Sequence, residues 1–407
     1  MRASVLCVVS LACAVVRKLS MDYAKMQRSP PSAGFILHIT STKVGRNAIG
    51  RGRMPASSFR FSKEFNDHAS SDVRDMDGNG GEQRPTFGTS RRSVLSGTAV
   101  GGALWQANVA TAAVDPVRTI GEPVISGGQL PLTVGLGMGP PYTQRYVDIA
   151  IDAGYRLFDT AQEYGSEEDL GNALKAAFSS GKLKRQDVFV TTKVWIDNLG
   201  YDRTISSVRE SLASLGGLEG GIDLVLIHWP CPFVRKEENG AVEYYSKLRR
   251  STWEALEKLQ QDGVVKQIGV SNFGERHLKE LLGYAKVKPA VDQVEVHPYN
   301  QRVGLEKLVK SEGIRFEAYS PLGKGRIGLL EDPVLTSIAD KRRKSVAVVI
   351  IRWLLQRGIT PIPLSRNEKR IKENIEVFDF DLTDDEMRAI AKLDRGQFVI
   401  MDDEQLA

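Results

Sequence analysis

What most constrains this chain is a rhythm. From about residue 130 onward, short apolar runs alternate with amphipathic stretches. The apolar runs are residues 134–136, 157–158, 188–192, 224–227, 267–270, 291–295, 315–319 and 360–362. Their length and β-branched content suit buried strands. Residues 144–153, 167–178, 202–215, 251–261, 275–282, 305–311, 334–343, 346–356 and 368–375 instead carry apolar side chains at helical spacing. Strands alternating with helices call for a parallel sheet covered by those helices. Eight such units over about 260 residues fit an α/β fold of one kind, the (β/α)8 TIM barrel. A doubly wound sheet is the alternative. It opens with a G-x-G-x-x-G turn leading into a helix. "GLGMGPPY" (residues 135–142) has the glycines, but Pro140 and Pro141 stand where that helix would start.

The part before the rhythm has a different composition. Residues 1–113 carry 15 Lys and Arg against 7 Asp and Glu; the whole chain is +5, so the remainder is −3. A mildly acidic domain lacks the basic footprint of a nucleic-acid binder. No apolar run reaches the roughly 18–20 residues of a membrane span. Arg2, the mostly apolar stretch 3–16 and Arg17-Lys18 read as a signal-peptide core, with Ala12-Cys13-Ala14 as a cleavage site. Residues 21–63 are basic and hydroxyl-rich with Asp22 as their acid, the composition of a transit peptide. Residues 64–90 are polar and are expected to be disordered. Arg91-Arg92, a mild apolar stretch and Ala110-Thr111-Ala112 resemble a twin-arginine signal. In series, these segments resemble delivery to a plastid and onward to the thylakoid lumen. If Arg91-Arg92 is incidental, the stroma is the destination; if the first segment acts alone, it is the secretory pathway. The expected organisation is thus a largely disordered targeting extension (1–113), a barrel (120–395) and a short tail (396–407). Of the cysteines, Cys7 and Cys13 lie in the extension and Cys231 in the barrel, so no disulfide is expected there. Cys231 reads as a small side chain beside a strand end. The five histidines show no metal-ligand spacing, and no metal is expected.

In a barrel of this type, reactive groups gather at the carboxyl ends of the strands. Those ends read Asp159 after the second strand, Lys193 after the third, His228 after the fourth and Ser271-Asn272 after the fifth. Gln293 follows within the sixth, and Tyr319-Ser320 after the seventh. Tyr164 comes five residues beyond Asp159. Alone, Asp159 reads as a helix cap, Tyr164 as a loop aromatic, Lys193 as a solvated strand end and His228 as a core histidine. Together they permit proton transfer. A phenol with a pKa of about 10 is a poor donor until a nearby ammonium favours its anion. Lys193 can supply that charge, and Asp159 can pair the otherwise costly buried ammonium. His228 can donate to the same oxygen that Tyr164 protonates. A proton donor without a nucleophile or metal suggests carbonyl reduction, with hydride from a cofactor.

The segments "DAGYRLFDTAQEYGSEEDLG", "FVTTKVW", "IDLVLIHWP", "IGVSNF", "VDQVEVHPY", "EAYSPLG" and "IPLSRNEKRIKENIEVFDFDLTDDEM" resemble the aldo-keto reductase family in order and spacing. The resemblance implies a (β/α)8 barrel and NAD(P)H-dependent reduction of aldehydes and ketones. It implies that Tyr164 is the proton donor, tuned by Lys193 and Asp159, and that His228 orients the carbonyl. Ser271, Asn272 and Gln293 match residues that hydrogen-bond the nicotinamide carboxamide. Tyr319 matches the ring that stacks on the nicotinamide, and Ser320 and Leu322 match pyrophosphate contacts. Ser365, Arg370, Glu373 and Asn374 match the adenosine end, with Arg370 on a 2′-phosphate. One departure is Leu364, where the family usually has a lysine touching that phosphate. NADPH is the expected cofactor, with NADH admitted by this change. Trp195 is expected to wall the pocket of a small carbonyl substrate. The loop 231–247, with Phe233, Tyr244 and Tyr245, is expected to border it, and the short tail to leave it open. His277 is expected to face solvent, His297 to be structural, and the basic run 341–344 to be a solvated helix end. The family's habit implies a monomer. The alternative is a cofactor-sensing module, like the channel regulatory subunits that resemble this family; the retained Asp159, Tyr164, Lys193 and His228 favour turnover.

Overall fold

Eight parallel strands follow one another around a single sheet in sequence order. The computed structural model describes residues 132–407. The signal, transit and twin-arginine segments within residues 1–113, and the first residues of the expected barrel domain, lie outside the described residues. The strands are β1 (Leu136–Gly137), β2 (Leu157–Asp159), β3 (Phe189–Val194), β4 (Ile222–Ile227), β5 (Val265–Ser271), β6 (Val291–Glu295), β7 (Arg315–Tyr319) and β8 (Thr360–Ile362). Two backbone hydrogen bonds close the ring: Gly135 N–H donates to Pro361 O at 2.9 Å, and Gly137 N–H to Pro363 O at 3.1 Å. This explains the glycines of "GLGMG", which serve no dinucleotide turn. A Cβ on Gly137 would lie 2.8 Å from the Ile362 carbonyl oxygen, and one on Gly135 2.6 Å from the Ile362 side chain. Only glycine lets the first strand approach the last this closely.

The helices are α1 (Gln144–Ala153), α2 (Glu167–Ser179), α3 (Tyr201–Ser214), α4 (Ala241–Gln261), α5 (Glu275–Leu282), α6 (Val303–Ser311), α7 (Pro333–Arg342), α8 (Val346–Gln356), α9 (Glu368–Asn374) and α10 (Asp384–Ala391). Their boundaries follow local chemistry. Gly154 ends α1 in the left-handed region and donates back to Ala150 and Ile151. Asp332 caps α7 through Val334 and Leu335, with Pro333 at its first position. Thr383 and Glu386 form a capping box on α10. The apolar faces of the helices pack on the outward faces of the strands, where Val225, Ile227, Ile268, Val270 and Val294 join one large core. Inside the barrel, Leu157, Phe189, Leu224, Leu226, Val291 and Ile362 form a separate apolar plug. Burying a side chain of this size stabilises by about 1.5–3 kcal/mol.

Several boundaries differ from expectation. Asp159, Lys193 and Ser271 lie within their strands rather than after them, because the ladder hydrogen bonds continue through these polar positions. Helix α4 starts ten residues before the expected 251, so Tyr244 and Tyr245 are helical rather than in a loop. The tail folds back onto the barrel. Its Val399 and Ile400 N–H groups donate to the Glu295 carboxylate at 2.6 and 2.8 Å. Asp403 pairs with Arg302 at 2.8 Å. Ala407 is buried and donates from its N–H to Val234 O at 2.8 Å. His277 does not face solvent: it is fully buried, with Nε2 at 3.1 Å from Ala407 O. His297 is buried against Glu295 at 3.0 Å, a structural role. In the basic run, Arg342 and Lys344 are not simply solvated; they pair with Glu386 and Asp379.

Candidate active site

At the carboxyl end of the barrel the apolar plug gives way to polar side chains. Alternation along each strand dictates which ones point inward. On β3, Thr191 and Lys193 lie on the same side as Phe189 of the plug. On β6, Gln293 and Glu295 follow Val291, and on β7, Glu317 precedes Tyr319. Lys193 is 0% exposed. Its ammonium donates to Asp159 Oδ1 at 2.5 Å and to Thr160 O at 2.9 Å. A buried ammonium without these acceptors would be costly, and removing one partner of such a pair typically costs about 3–5 kcal/mol.

Tyr164 sits on a short 3₁₀ turn, Gln162–Tyr164, directly after β2. The Lys193 ammonium lies 5.1 Å from the centre of its ring. The Tyr164 hydroxyl is 3.4 Å from His228 Nε2, and the two rings meet edge to face at 5.5 Å. One substrate oxygen can therefore meet both atoms. Burial pushes the Tyr164 phenol above its ordinary value; Lys193 pulls it down and Asp159 raises it again. Lys193 lowers the phenol, as expected, but burial outweighs it and the net direction is upward. Burial also acts to lower the Lys193 ammonium, but Asp159 and then Tyr164 overcome this and leave it raised. His228 is held well below the ordinary imidazole value, by burial first and by Lys193 second. The imidazole is therefore neutral at physiological pH and keeps one N–H to donate.

Trp195 stands beside this group, its ring 5.1 Å from that of His228. Phe233 touches both Trp195 (6.1 Å) and Trp229 (5.1 Å), whereas Tyr244 is turned to solvent. The buried tail residues Leu406 and Ala407 pack in the same small cluster as Trp229 and Cys231, with Trp195 against it. The tail thus supports this wall from behind.

Opposite lies a polar row. Asn272 and Ser320, which follow β5 and β7, adopt left-handed backbone (φ 59° and 48°). Such strain in residues other than glycine concentrates at functional positions. Asn272 Nδ2 donates to His228 O at 2.8 Å, and its Oδ1 accepts the Tyr319 hydroxyl at 2.6 Å. Gln293 is buried, with Nε2 facing Asp159 and Glu317. Ser271 is buried beside Asn272, and the Tyr319 ring and Leu322 are partly exposed. Around the edge, Leu364, Arg366 and Arg370 are exposed, Ser365 and Glu373 are half-buried, and Asn374 is buried. Amide groups and a partly open aromatic ring on one rim, with guanidinium groups farther out, suit a nicotinamide dinucleotide.

Two residues that support the site were absent from the sequence reading. Gln162 Oε1 accepts from Trp195 N–H at 2.9 Å and from Asn198 Nδ2 at 2.8 Å, which holds the loop that carries Trp195. Glu317 lies beneath the site, 2.9 Å from Gln293. Its signal was a carboxylate two residues before Tyr319, and so on the same face of the strand.

Comparison with known proteins adds a family. The model of the Aldo/keto reductase family matches residues 127–395. Aldose reductase C of Dictyostelium discoideum is 39% identical over 284 residues, which cover 66% of this chain and 87% of that protein. Glyoxal reductase of Bacillus subtilis (strain 168) is 44% identical over 253 residues, 62% of this chain and 84% of that one. The crystal structure of a Bombyx mori aldo-keto reductase in complex with NADP superposes with a TM-score of 0.60 at 35% identity, covering 67% of this chain and 92% of its own.

Proposed function

Because this chain belongs to the aldo/keto reductase family and reduces carbonyl compounds with a nicotinamide cofactor, we propose the roles that its residues take in that reaction. A reduced nicotinamide, when bound, supplies the hydride. Ser271, Asn272 and Gln293 hold its carboxamide, and Tyr319 supports its ring. Ser320 and Leu322 contact the pyrophosphate. Ser365, Arg370, Glu373 and Asn374 hold the adenosine end. The substrate oxygen lies between Tyr164 and His228. Tyr164 gives it a proton, and His228 donates a hydrogen bond that fixes the carbonyl's orientation. Burial keeps this phenol protonated before the reaction, and the opposing pull of Lys193 eases the departure of its proton. The Lys193–Asp159 pair then stabilises the phenolate that remains. Trp195 and Phe233 border the substrate, whose class is a small aldehyde or ketone.

The observation that carries this reading is the 3.4 Å approach of the Tyr164 hydroxyl to His228, with the Lys193–Asp159 pair directly beneath. Its test is Tyr164→Phe. The substitution leaves the ring in place and removes the proton. Reduction of a panel of aldehydes, followed by loss of NADPH absorbance, should slow by about a hundredfold or more, while NADPH still quenches protein fluorescence as in the parent. A variant as fast as the parent would refute the donor role. For the cofactor, NADPH is the proposed partner, with NADH accepted because Leu364 brings no charge to the 2′-phosphate.

A further inference from the structure

Gln293 is 1% exposed, Glu317 1% and Asp159 2%. Gln293 and Glu317 are direct register partners on β6 and β7. The Gln293 amide nitrogen lies 2.7 Å from Asp159 Oδ2 and 2.9 Å from Glu317 Oε2. Asp159, paired with Lys193, offers acceptors only, Glu317 keeps an acceptor oxygen whether or not it carries a proton, and an amide nitrogen has two hydrogens to give. Both are engaged here. Turning the amide over would set its oxygen against Asp159 Oδ2 and leave that buried acceptor unpaired. The amide oxygen is therefore fixed as the acceptor that Gln293 offers to an N–H donor such as a carboxamide. The same Asp159 receives Lys193, which lies under Tyr164.

We infer that Glu317 is a positioning residue. Together with Asp159 it locks the Gln293 amide in the orientation that receives the nicotinamide carboxamide, and through Asp159 it links that amide to the proton-donating pair. The inference rests on the cofactor reading above and deepens it.

The linkage has a chemical consequence. The charged groups facing Glu317 are Asp159 and Lys193, with the Gln293 amide between the two carboxyls and Tyr164 beyond Lys193. Lys193 offsets one negative charge, not two. Burial, and then Asp159, push the Glu317 carboxyl up to about 8, against the opposing pull of Gln293 and Lys193. Near neutral pH Glu317 is protonated and Lys193 acts fully on Tyr164. Above that, a second negative charge draws on the same ammonium, and the phenol becomes a weaker acid.

The test uses the full chain, Glu317→Gln and Glu317→Leu. NADPH affinity is measured by quenching of protein fluorescence, and kcat and KM for an aldehyde are measured from pH 6 to 9.5. Glutamine keeps an acceptor at this position without a titrating charge; leucine keeps neither. Glu317→Leu should weaken NADPH about tenfold, as expected for one lost buried acceptor. Glu317→Gln should stay within about twofold of the parent at pH 7. The parent's kcat should bend near pH 8, and Glu317→Gln should lose that bend. Glu317→Leu binding NADPH as tightly as the parent, or a bend that persists in Glu317→Gln, overturns the inference. A parent that fails to bind NADPH would instead remove the cofactor reading, and this one with it.

Discussion

At the scale of single residues, Leu364 lies on an exposed rim and is the side chain proposed to relax the choice between NADPH and NADH. It is 42% exposed and projects toward Gly139, where a Cβ would come within 3.0 Å of it. An apolar group there contributes packing and no charge. Arg366 and Arg370 are exposed nearby, so the rim is already cationic. A lysine at 364 would keep its ammonium in water, with no burial to oppose it. Leu364→Lys should therefore raise the preference for NADPH over NADH about tenfold, roughly 1.4 kcal/mol, read as the ratio of kcat/KM for the two cofactors. An unchanged ratio would assign recognition of the 2′-phosphate to the arginines alone. Residues of this kind are legible because their chemistry conflicts with their surroundings. Asp159, Lys193 and His228 each interrupt or end an apolar run, and a charge in that setting demands a partner. Glu317 met the same criterion and was overlooked, since its importance depends on Gln293, which is distant in sequence and adjacent only once β6 and β7 pair.

At the scale of elements, the strand order and most helices were legible from periodicity, and their ends were less so. β3 was expected to stop before Lys193 because polar residues read as loops, whereas the ladder is indifferent to side-chain polarity when a partner waits inside the barrel. The first turns of α4 were hidden by their exposed, mixed composition. α10 went unassigned although Thr383 and Glu386 announce its start. The tail was least legible, because its order comes from contacts with remote residues and not from any local pattern. Arg302, Glu295, Arg249 and His277 all reach it. His277 links α5 to that tail. Its imidazole is pushed down to about 3, first by burial and then by Arg249 and Arg276, with Lys236 adding to this and the Ala407 carbonyl opposing it. A histidine whose folded value lies below its unfolded one contributes stability that is present above about 6.5 and is lost as pH falls toward 3. The midpoint temperature of the parent should thus fall more steeply between pH 6.5 and 4.5 than that of His277→Gln. Equal slopes would place the acid sensitivity elsewhere.

At the scale of the whole barrel, the joint between the first strand and the last is among the shortest. β1 has two residues, and its union with β8 rests on the two glycine amides already described. The Tyr142 hydroxyl reinforces it from the loop before α1, donating to Ser365 O at 3.1 Å. Ser365 belongs to the same stretch as Leu364 and Arg366, where the adenosine end is proposed to lie. A short joint with few amides is where a closed cylinder breathes first. A bound dinucleotide would thus act as an external stitch across that opening. Deuterium uptake at Gly135 and Gly137 should slow on adding NADPH, by a larger factor than at β4 and β5. A uniform slowing would mean that the cylinder tightens as one body and that this joint has no separate motion for the dinucleotide to restrain.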